Sequence, residues 1–177
     1  DLRERLKECE SVVGGEAIAK QAQAQLGQIQ GKFNVLRDML EQKLNAGELT
    51  FGRYIGTAQS VCLAVLGNLR SIAQYLKSAG SIEIGYAQER VQALDKIKDP
   101  SDADQTEIKA VKERVALYEE QIHNADMLLA KNEEAMTAVD KTTASVVEMR
   151  TDSSSEDLEF SRRELEELAA RASRYNA

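Results

Sequence analysis

From Ile108 to Val146 the chain places a core-type position at alternating intervals of three and four: Ile108, Val111, Val115, Tyr118, Ile122, Ala125, Leu129, Asn132, Met136, Val139, Thr143 and Val146. A stripe with one position per 3.5 residues stays on one face only if the backbone is helical and that face meets other helices along its length. With a rise of 1.5 Å per residue such a helix is about 60 Å long. A rod of that length does not fit inside a compact sphere of 177 residues, so shorter helices must pack beside it. The expected fold is all-α: an elongated antiparallel helical bundle with long coiled-coil-like helices.

Other segments carry the same period. Leu2, Leu6, Cys9 and Val13 mark a short, strongly charged helix ahead of Gly14-Gly15, and residues 1–14 read as a frayed or linker helix. Ile18, Ala22, Leu26, Ile29, Phe33, Leu36, Leu40 and Leu44 mark a second helix, expected to end at Asn45-Ala46-Gly47 through a left-handed glycine. A third opens at Thr50, with Phe51, Ile55, Ala58, Cys62, Val65, Leu69, Ile72 and Leu76 in register; Tyr54, Val61, Leu63, Leu66 and Ala73 widen its stripe and point to a central helix. Gly52, Gly56 and Gly67 inside it cost roughly 1 kcal/mol each relative to Ala, which predicts a neighbour in close approach there.

Ser78-Ala79-Gly80-Ser81 breaks that helix, and Ile84, Ala87, Val91 and Leu94 mark a short fourth one. Asp99-Pro100 ends it, and Asp104 with Glu107 reads as the capping box that opens the long fifth helix. Residues 151–155 are expected as a flexible break before a C-terminal sixth helix with Leu158, Leu165, Leu168, Ala172 and Tyr175 in register. Residues 1–177 are taken as a single helical-bundle domain, with helices two, three and five as its frame and the fourth and sixth as shorter covers. Because the chain starts with Asp1 inside a helical pattern, it is expected to belong to a longer protein.

Charge narrows the partners. Residues 1–98 hold 13 Lys and Arg against 11 Asp and Glu, and residues 99–177 hold 10 against 19. No basic cluster is interleaved with aromatics, so nucleic acid is not an expected partner. Charge does not support binding to an anionic membrane surface either, although the near-neutral N-terminal half leaves a place at the membrane periphery open. No run of 18 apolar residues is present. Cys9 and Cys62 lack metal or redox spacing and are expected to be unpaired, which fits a reducing cytoplasm, with any membrane association coming from sequence beyond this chain. Cys62 reads as a small core side chain; the role of Cys9 stays open.

Sites for chemistry are scarce. Glu120-x-x-His123 has the spacing of half a di-iron carboxylate site, but His123 is the only histidine, so a second such pair is absent from this chain. With Ile122 at a core position of the heptad, Glu120 and His123 fall on the solvent side. Glu119-Glu120, Glu133-Glu134 and Glu166-Glu167 are neighbours in sequence and point in different directions from a helix. No glycine-rich nucleophile elbow or phosphate loop is present. No catalytic, cofactor or metal residue is assigned. Asn132 and Thr143 stand out instead, as polar residues at core positions: either the seam opens to solvent toward the end of the long helix, or they fix register or choose a partner.

The functional expectation is a non-enzymatic helical scaffold or protein–protein interaction module, with a foreign protein or a second copy as partner. Exchange of the sixth helix between copies is the expected route to a homodimer. The alternative is a peripheral membrane or envelope-stress component, and a third reading is an accessory subunit that completes a site with other chains.

Overall fold

A computed structural model describes residues 1–148, together with Arg163, Glu166, Glu167 and Ala170. The described residues form five α-helices and no strand: α1 (Leu2–Glu8), α2 (Glu16–Lys43), α3 (Leu49–Gly80), α4 (Ile84–Leu94) and α5 (Asp102–Glu148), with a 3-10 turn at Cys9–Ser11 between the first two. The sixth helix expected after 151–155 lies outside the described residues, apart from the four just named, which are helical and exposed.

Helix α5 runs for 47 residues without a break, passing through Asn132 as the heptad requires. That makes it about 70 Å long. α3 packs along its C-terminal half beside α2, and α4 packs on its N-terminal half and on no other described helix. α2 and α5 run in the same direction: Gly14 lies beside Tyr118, Gln25 bonds to Leu129, and Lys32 pairs with Asp140. α3 runs antiparallel to both. The fourth helix therefore prolongs the rod instead of covering the three-helix body.

The core follows from this arrangement. Leu36 and Leu40 of α2, Tyr54, Leu69, Ile72 and Leu76 of α3, and Leu129, Met136 and Val139 of α5 are all buried. The heptad is unevenly used. Ala125, Leu129, Asn132, Met136, Val139 and Val146 are buried against α2 and α3, with Thr143 half-buried among them; in the first half Val111 is buried, whereas Ile108, Val115, Tyr118 and Ile122 are only half-buried. Among the described helices α4 covers the N-terminal turns of α5, and the turn at Val13–Gly14 takes over at Tyr118.

Several local expectations need correcting. Residues 1–14 are docked and not frayed: Asp1 caps α1 by accepting from the Arg3 amide, Leu6 is fully buried, and the Cys9 thiol sits against the Ala73 carbonyl at 3.7 Å. The turn into α2 depends on Gly14, whose φ of +72° is the only positive value among the described residues. α2 does not stop through a left-handed glycine. Leu44 turns extended, and Asn45 and Glu48 close the reversal, with the Asn45 side-chain amide donating to Glu48 Oε1 at 2.9 Å. The capping box of α5 lies one turn earlier than expected: Ser101 Oγ accepts from the Asp104 amide at 3.2 Å, and Asp104 Oδ2 accepts from the Ser101 amide at 2.9 Å. Glu107 is thereby free to bind Arg90 of α4.

Candidate functional site: an open face of α3 beside a polar core layer

The chemistry-bearing side chains do not converge. Glu120 and His123 are exposed on α5, as are Glu119, Glu133 and Glu134. No cluster of three or more His, Cys, Asp or Glu able to hold a metal occurs among the described residues. Both cysteines are free, and burial holds their thiols above the ordinary range; Cys62 is pushed up to about 11. A thiol in that range stays protonated at neutral pH and is a poor nucleophile.

A polar layer crosses the core instead. Asn68 of α3 donates to Asn132 Oδ1 at 2.9 Å, and Asn132 donates to Gln25 Oε1 at 3.0 Å. Gln25 Nε2 then donates to the Leu129 carbonyl at 3.0 Å and to Glu133 Oε1 at 2.8 Å. All three side chains are buried, and Asn68 Oδ1 has no partner. Of the three, the heptad of α5 singles out only Asn132. Gln25 and Asn68 are legible by the same rule, because Ile18, Ala22, Gln25 and Ile29 and likewise Val61, Val65, Asn68 and Ile72 keep the same four-three-four spacing. Thr143 is half-buried and returns its hydroxyl to the Val139 carbonyl; the fully buried threonine is its neighbour Thr142. Three amides on three helices meet at one level only, so the layer locks the mutual register of α2, α3 and α5.

On the N-terminal side of this layer the outer face of α3 is open. Leu49, Gly52, Gly56, Gln59 and Leu63 follow one another at intervals of three and four, all exposed, with Leu49 72% and Leu63 66% accessible. The close approach expected at Gly52 and Gly56 is absent among the described residues. A Cβ added at either meets nothing within 4 Å. Contacts tight enough to require glycine occur at Gly14, where a Cβ would stand 2.6 Å from Tyr118 Oη, and at Gly80, where it would stand 2.9 Å from a Val12 methyl. Leu63, expected to widen the buried stripe, points outward because the seam of α3 centres on Tyr54, Val61 and Val65.

Grooves flank the body among the described residues. One, of about 370 Å³, lies between α2 and α5, with Val35 and Val147 on its walls and the Lys32–Asp140 ion pair at its edge. Another, of about 440 Å³, lies between α4 and α5. No helix among the described residues is long and apolar enough to cross a membrane. Comparison with protein-family models, curated proteins and solved structures finds no match to this chain.

Proposed function

We propose that this chain is a non-enzymatic helical scaffold for protein–protein interaction, and that the outer face of α3 takes a partner helix. The carrying observation is the empty space over Gly52 and Gly56. Each glycine costs the helix roughly 1 kcal/mol, and no packing among the described residues offsets that cost. A second helix lying close along the face would offset it. Leu49 and Leu63 mark the two ends of such a contact, at the i, i+3, i+7 rhythm by which one helix reads another, and Gln59 is the one polar side chain in the row. The polar layer at Asn68, just past Leu63 on the same helix, supports the same reading by holding α3 in one register against α2 and α5.

A photoreactive residue in place of Ser60, beside the face, tests this against one in place of Leu117 on the exposed side of α5. A discrete protein adduct is expected from position 60 alone. Filling the face with Gly52→Leu and Gly56→Leu should abolish it while the thermal midpoint holds or rises. The same adducts from both positions would refute the reading. Vesicle flotation that disappears in Leu63→Glu would replace the protein partner with a lipid surface.

A further inference from the structure

Among the described residues the arm formed by α4 and the N-terminal part of α5 contains two helices, which bury Ile84, Ala87, Leu94 and Val111 but leave part of their seam open. Val91 and Val115 form the half-buried floor of the groove between them. Its rim is polar but ordered by sign. Lys112 stands at one end and Glu119 at the other, both exposed on α5, with the uncharged Gln88 and Gln92 on the α4 side. Lys112 already pairs with Asp95 of α4 at 2.9 Å, which holds its ammonium at the rim with donors to spare.

The charges are antisymmetric about the centre of the groove. Lys112 and Glu119 lie equally far on either side of the step from Val115 to Ala116, about 5 Å each way along the helix. A two-fold axis through that step would set α5 against α5 of a second copy in antiparallel fashion. Lys112 of each would then meet Glu119 of the other, and Val115 of each would lie opposite the small Ala116 of the other, which would allow close approach. A face that complements itself under a two-fold rotation is the requirement for an isologous dimer. We infer that the α4–α5 arm is a homodimerisation surface and that its occupant is the same arm of a second copy of this chain. The surface is distinct from the outer face of α3, so a dimer leaves that face free. An arm about 16 Å long in α4 offers a small interface and suits a dimer of micromolar affinity.

Sedimentation equilibrium of the full chain between about 1 and 100 µM tests the inference, with Lys112→Glu, Glu119→Lys and the double swap as variants. Each single variant places like charges opposite one another twice and should weaken dimerisation about tenfold or more. The double swap should restore the dimer, although it does not restore the pair between Lys112 and Asp95, so recovery reports the contact between copies. Mixing the two single variants should give a heterodimer tighter than either homodimer. Helicity and thermal midpoint, followed alongside, separate lost association from lost folding. A chain that is monomeric throughout overturns the inference. So does a dimer indifferent to all four combinations, and one that disappears on truncation at Thr151 would transfer self-association to the C-terminal segment.

Discussion

Asn68 and Asn132 face each other across the α3–α5 seam, Nδ2 of the first donating to Oδ1 of the second at 2.9 Å, with both side chains buried. The two are not equivalent in what their removal leaves behind. Asn132→Leu strands two buried groups, Gln25 Oε1 and Asn68 Nδ2, and should cost roughly 2–5 kcal/mol. Asn68→Leu strands only Asn132 Oδ1 and removes an acceptor that already lacks a partner, so it should cost less. Leucine at positions 25, 68 and 132 together leaves no side-chain amide unpaired and should recover most of the loss. Urea unfolding midpoints of the four proteins give the ranking, and an Asn68→Leu protein weaker than Asn132→Leu would show that the layer is wrongly apportioned.

Glycine substitutions should split by location. At Gly14 the left-handed backbone costs an L residue about 1–2 kcal/mol, and the added methyl also collides with Tyr118 Oη. Gly14→Ala should therefore be destabilising by more than the backbone cost alone. In a Tyr118→Phe background, where the hydroxyl is gone, the penalty should shrink toward that cost. At Gly52 and Gly56, where a Cβ meets nothing, alanine should instead raise stability by about 1 kcal/mol each. Thermal denaturation of the three single variants checks both signs.

The heptad of α5 is helical along its whole length, as its spacing predicts, yet its two halves differ in what they hold together. Periodicity reports that a face is apolar; it does not report how many helices cover it. Leu69 and Ile122 illustrate the difference. Both occupy seam positions, but Leu69 is fully buried in α3 and Ile122 is half-buried on α5. Leu69→Ala should cost roughly 2–5 kcal/mol, and Ile122→Ala less than half of that. Equal losses in chemical denaturation would mean that the N-terminal half of α5 is covered as well as the C-terminal half.

What the sequence conceals has a common cause. The capping box at Ser101 and Asp104 competes with an equally well-spaced pair at Asp104 and Glu107, and only the position of Arg90 on α4 decides between them. The openness at Gly52 and Gly56 and the burial of Leu6 likewise depend on which helix lies next door, a long-range fact that composition and period do not encode. The three-helix frame is legible because each helix is long enough for its stripe to be unambiguous. The amide layer is half legible, since Gln25 fits the seam of α2 as well as its neighbour Leu26 does.

The thiol of Cys62 gives a prediction with a definite direction in pH. Burial raises it from an ordinary 9.0 to about 11, so between those values the folded chain keeps a proton that the unfolded chain has released. Its contribution to stability is therefore complete below pH 9 and is lost as the pH rises toward 11. The midpoint of urea unfolding should fall more steeply over that window in the parent than in Cys62→Ala, after the constant cost of the smaller side chain is subtracted. At about pH 8 the same shift lowers the thiolate fraction about a hundredfold relative to the unfolded chain. Alkylation of Cys62 by iodoacetamide, followed by mass spectrometry in buffer and in urea, should show at least that ratio, because limited access adds to the protonation effect. Comparable rates in the two solvents would mean that the thiol reaches water through a motion of α3.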